Sequence, residues 1–142
     1  MAPELLARYG KLQAAIQRLS SIRERKISLS SFKGDPDAQA MVERYFQVAV
    51  EALIDIGNHL ISRKSLESPG TSAQVFEILG KAGLLDPELA GKLSRWARFR
   101  NILVHGYTDI DIEIEHRALM NDIEELKQGA AALAKHLEAD LK

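Results

Sequence analysis

Cysteine is absent from this 142-residue chain. That excludes disulfides, thiol nucleophiles and cysteine-ligated zinc together, and it fits a reducing compartment. No apolar run is long enough to span a bilayer, so no membrane contact is expected. The opening Met1-Ala2-Pro3-Glu4 lacks the basic-then-apolar form of a secretory signal, which makes the cytoplasm the expected setting. Neither sign of charge dominates: the net charge is −1, and the pI is about 6.4. A broadly basic nucleic-acid surface is therefore not expected, and any RNA contact must come from a local patch or from charges pooled across subunits. The 4 histidines are scattered and form no His-Glu-x-x-His pattern, so neither a metal nor a cofactor is expected.

Hydrophobic residues make up 46% of the chain, enough for one globular domain over residues 1–142. Their spacing is helical. Leu5, Tyr9, Leu12, Ile16 and Leu19 form one stripe, predicting a helix from about Pro3 to Arg25. Residues 27–35 read as a loop. Asp35-Pro36 is a cap followed by a first-turn proline, opening a second stripe from Val42 to Leu60 and a helix to about Arg63. Thr71 with Gln74 has the form of a capping box, and Gly83 that of a helix stop. Asp86-Pro87 opens a fourth helix toward Val104. The last helix carries Leu119, Ile123, Leu126, Ala130, Leu133 and Leu137. Residues 109–115 alternate acid and isoleucine, a strand period, but an acidic helix start is favoured there. The expectation is an all-α, five-helix bundle with two long helices.

The fourth helix is unusual. Arg100 falls on the inward stripe of Leu89, Leu93, Trp96 and Leu103, where a lone charge is costly unless it finds a partner or faces a cleft. Phe99, Ile102 and Val104 make the end of this helix apolar on more than one side, which a second subunit would cover. Lys92, Arg95 and Arg98 share another face, and no acid intervenes between Glu88 and Asp109. These three cations are candidate RNA-binding residues, against the plainer reading of a solvated surface. Arg100 and His105 are types suited to cutting a phosphodiester without a metal: arginine grips phosphate oxygens in a planar fork, and histidine moves a proton near neutral pH. On a straight helix they point about 140° apart. Either the helix stops at Gly106 and swings His105 back, or each site combines groups from two subunits across a twofold axis.

At Arg100-Asn101-Ile102-Leu103-Val104-His105-Gly106-Tyr107 the chain resembles the HEPN superfamily, and within it the HepT-type toxins. The superfamily pattern is Arg, a polar residue, three further residues and His; the HepT type adds Tyr two residues on, the place of Tyr107. Residues 43–61, 76–89 and 96–111 carry further likeness, which spans roughly residues 5–140. The resemblance implies a homodimer, often assembled further, with the motif lining a cleft between protomers. It implies a metal-independent endoribonuclease with Arg100 and His105 as catalytic residues and Asn101 holding one of them in orientation. It also implies a partner, a nucleotidyltransferase antitoxin of the MntA type, that transfers AMP onto Tyr107. The RNA substrate would be a tRNA or an mRNA. The rival reading is a non-catalytic helical module that binds a nucleotidyltransferase or RNA. His59, His116 and His136 are read as structural. Glu43-Arg44 is read as a solvated or bundle-internal charge pair, with Glu43 or Arg44 a conceivable support for Arg100.

Overall fold

The structure is a computed structural model that describes residues 3–105 and 111–139. Within them lie α1 (Pro3–Glu24), α2 (Leu29–Lys33), α3 (Pro36–Arg63), α4 (Ser72–Lys81), α5 (Pro87–His105), α6 (Ile112–Arg117) and α7 (Ile123–Ala139), with a π-helical turn at Ala118–Asp122 joining the last two. The described residues hold no strand, as the periodicity predicts.

Local chemistry explains most of these boundaries. Asp35 caps α3 by accepting from the Ala38 N–H at 3.1 Å, and Pro36 takes the first helical position, where its missing N–H costs nothing. Thr71 accepts from the Gln74 N–H at 3.3 Å, while the Gln74 side chain reaches back to the Gly70 N–H at 2.6 Å. That is a capping box displaced by one residue from its usual form. Gly83 sits at φ 78°, a left-handed geometry that a side chain resists, and so ends the α4 turn. Asp86 accepts from the Glu88 and Leu89 N–H groups at 3.1 and 3.2 Å to open α5.

Two expectations need correction. Residues 27–35 are not all loop: Ser28 caps the short α2 by accepting from the Ser31 N–H at 3.1 Å, and Phe32 is fully buried. One anchoring aromatic and a serine cap suffice for a single turn too short to show a period. The last helix is likewise preceded by α6, capped at Asp111, which accepts from the Glu113 and Ile114 N–H groups. Helix count therefore exceeds five, although the two long helices and the bundle class stand.

Helix α3 is the axis of the molecule. It packs against α1, α4, α5 and α7, and α4 packs closely on α5. Leu12, Leu19, Phe46, Leu53, Leu93 and Ile123 are fully buried at the shared core. At one end Phe46, Trp96 and Phe99 form an aromatic triad with ring centroids 5.2–5.7 Å apart. Gly57 lets α3 and α4 touch, since an added Cβ would lie 2.6 Å from Val75 Cγ1. This packing fixes the rotation of α5, and with it where Arg100 points. Among the described residues no helix is long and apolar enough to cross a membrane.

Candidate functional site

Leu93, Trp96 and Leu103 are buried, so the inward stripe of α5 is as the sequence predicts. Arg100 lies on that stripe and is partly buried, with its side chain 22% exposed. Its charge has found a partner. Arg100 Nη2 donates to Glu51 Oε1 at 2.8 Å, and Nη1 donates to Asn101 Oδ1 at 3.0 Å. Nε is buried with no hydrogen-bond partner among the described residues. Arginine carries five N–H donors, and two of them are engaged among the described residues. The guanidinium is thus held in one orientation with donors to spare.

Beside it is a niche of about 210 Å³ lined by Glu51, Ile54, Asp55, Ser72 and Arg100. A phosphate oxygen entering it would meet the Arg100 side chain. The Glu51–Arg100 pair is part-exposed, so its worth to stability is small, and what it supplies is aim.

Glu51 went unrecognised in the sequence. A charge on an apolar stripe demands an acid from a facing helix, and α3 offers Asp37, Glu43, Glu51 and Asp55, of which Glu43 and Glu51 lie two turns apart. Only the packing of α3 on α5 chooses between them. The support considered for the Glu43-Arg44 pair is corrected accordingly: Glu43 faces α6, where it meets Glu115, and Arg44 lines a different groove. Burial, then hydrogen bonding to Glu43, then repulsion from Glu43 raise the Glu115 pKa from 4.5 to about 8. Neither Glu115 oxygen accepts from an N–H or hydroxyl donor among the described residues. The contact with Glu43 is therefore a hydrogen bond only when one of the two acids holds a proton.

Helix α5 runs unbroken through His105, so the helix does not stop short of it. Positions 100 and 105 are thus about 140° apart around one axis. The His105 side chain and the whole of Tyr107 and Asp109 lie outside the described residues. The three candidate RNA-binding cations fall in two surroundings. Arg98 pairs with Glu77 at 3.2 Å, facing α4. Lys92 pairs with Glu88 at 3.7 Å. Lys92 and Arg95 line a separate groove of about 220 Å³ with Trp96, Phe99 and Arg117. Arg95 and Arg98 sit about 140° and 160° around α5 from Arg100. His116 and His136 serve structure: each Nε2 lies 2.7 Å from a backbone carbonyl, of Ile27 and Leu84 respectively. No cluster of metal-ligating side chains occurs among the described residues. Ile102 is 56% exposed and Val104 40%, which leaves apolar side chains uncovered on two sides of the end of α5.

Residues 12–133 match the family described as Ribonuclease HepT-like. The chain belongs to the HepT-like ribonuclease family. It is 31% identical over 99 residues to an mRNA nuclease HepT of Shewanella oneidensis, covering 70% of this chain and 74% of that protein. It is 38% identical over 85 residues to a tRNA nuclease HepT of Aphanizomenon flos-aquae, covering 60% of this chain and 58% of that one. The bundle superposes with a TM-score of 0.84 on a solved Shewanella oneidensis HEPN toxin, tri-AMPylated and in complex with an MNT antitoxin. That match has 25% sequence identity and covers 95% of this chain and 99% of the other. The HepT-like fold thus presents an oriented arginine at the rim of a polar niche, next to an exposed apolar helix end.

Proposed function

We propose that this HepT-like chain is the toxin of a type VII toxin–antitoxin pair, a metal-independent endoribonuclease acting in the cytoplasm on tRNA or mRNA. The observation that carries the reading is Arg100, held by Glu51 and Asn101 at the rim of an open niche. A structural arginine would have its donors satisfied; this one is aimed and, among the described residues, left unsaturated. Asn101 acts as the orienting residue.

In the proposed reaction His105 takes the proton from a ribose 2′-hydroxyl. The 2′-oxygen bonds to the adjacent phosphorus, and charge building on the non-bridging oxygens is met by the Arg100 guanidinium. The bond from phosphorus to the 5′-oxygen breaks, and that oxygen takes a proton. The products are a 2′,3′-cyclic phosphate and a free 5′-hydroxyl. The angular separation of positions 100 and 105 favours a homodimer in which Arg100 of one protomer works with the histidine of the other. The exposed Ile102 and Val104 supply an apolar surface for that contact.

The partner in this reading is an MntA-type nucleotidyltransferase antitoxin, which silences the toxin by transferring AMP from ATP to the Tyr107 hydroxyl. The added phosphodiester puts negative charge next to the arginine and excludes the substrate. Two measurements test the whole. His105→Ala or Arg100→Ala is expected to lower RNA cleavage at least a hundredfold with an unchanged circular dichroism spectrum. Normal cleavage by His105→Ala overturns the catalytic reading and leaves a binding module. Mass spectrometry after incubation with antitoxin and ATP is expected to find AMP on Tyr107; neutralisation with that residue unmodified refutes the regulatory half.

A further inference from the structure

A groove of about 600 Å³ runs along the seam of α1 and α3, with Arg8 and Lys11 on one wall and Arg44, Glu51 and Asp55 on the other. Glu51 and Asp55 line the Arg100 niche as well, so the two hollows share a wall and adjoin. Asp55 is paired with Arg8, and Glu51 with Arg100. Lys11 and Arg44 have no ion pair among the described residues, and both are exposed. Glu4 is the only acid of the groove left without a cation among those residues. The uncommitted charge of the groove is therefore positive, in a protein whose net charge is −1.

We propose that the α1–α3 groove carries the backbone of the single-stranded RNA flanking the phosphate held at Arg100. Lys11 and Arg44 contact two of its phosphates, and Arg8 is drawn from Asp55 to a third. This rests on the ribonuclease reading and specifies where its substrate lies. The strand cannot follow Arg95 and Arg98, because those positions point away from Arg100. From Arg44 to Glu51 is two turns of α3, about 10 Å at 1.5 Å per residue. A stacked strand places roughly three phosphates in that length. No aromatic side chain lines this groove, so it offers nothing for a base to stack on. It grips backbone alone, and contributes affinity without sequence preference.

The test is fluorescence anisotropy with a labelled oligouridylate, using His105→Ala protein so that the probe stays intact. In that background the double change Lys11→Glu, Arg44→Glu is expected to weaken binding at least tenfold. It should also reduce the slope of log affinity against log salt by about 1.4, two contacts at roughly 0.7 each. The conservative pair Lys11→Arg, Arg44→Lys should restore both. Lys135→Glu, an exposed cation on α7 that lines neither hollow, supplies the control for bulk charge. Unchanged affinity and slope in the double variant, or equal weakening by Lys135→Glu, overturns the groove while leaving the nuclease reading intact. If the chain with His105 present neither binds nor cuts RNA, both readings fall together.

Discussion

Glu115 has no exposed surface, and it meets the carboxyl of Glu43. Its folded pKa of about 8 lies above the unfolded 4.5, so between those values the folded chain binds more protons than the unfolded one. Stability contributed by the protonated carboxyl is complete below the lower value and is lost as pH rises through the upper one. Urea midpoints are therefore expected to fall as pH rises across that window and to level off above it. Glu115→Gln keeps a neutral hydrogen-bonding group and should remove the slope; a slope unchanged in that variant would falsify the assignment. Arg100 is the opposite case, a charge on the inward stripe held in place by an acid. The sequence announced that Arg100 needed a partner. It could not say which, because Glu43 and Glu51 differ only in how far along α3 they sit from the crossing with α5.

At the scale of elements, caps and prolines mark starts well, because each is a local hydrogen bond between residues a few positions apart. The openings of α3, α4 and α5 are all legible this way. The π-turn at Ala118–Asp122 is not: its residues Ala118 and Leu119 are buried like any helical stripe, and the extra residue in the turn is a consequence of packing. Close helix approach is equally silent in the sequence. Gly57→Ala would gain up to about 1 kcal/mol in helix propensity. It would also press a methyl against Val75, whose β-branched side chain has little room to turn, at 2.6 Å. A net loss of roughly 1–2 kcal/mol is expected, read as a lower urea midpoint with unchanged m. A stabilised variant would show that α3 and α4 separate freely.

At the scale of the whole molecule, the question is how many protomers complete one site. Helix α5 includes His105, and five residues along an α-helix turn about 140°, so the backbone of a single protomer sets positions 100 and 105 on different sides of one axis. Two inactive variants should therefore complement each other. Arg100→Ala and His105→Ala protomers, mixed and exchanged, are expected to regain about a quarter of the activity. Half the dimers are mixed, and each holds one intact site of two, as symmetric exchange requires. A mixture as inactive as its parents would place both groups of each site within one chain.

Hydrophobic period, caps and a short motif are properties of neighbours along the chain, and they determined the helical bundle, most helix starts and the identity of Arg100, Asn101, His105 and Tyr107 as candidates. Packing decided the rest. It selected Glu51 over Glu43 as the partner of Arg100, and it opened the charged groove between α1 and α3. Each depends on the rotation of one helix against another, which is set by how buried side chains interlock across long sequence separations.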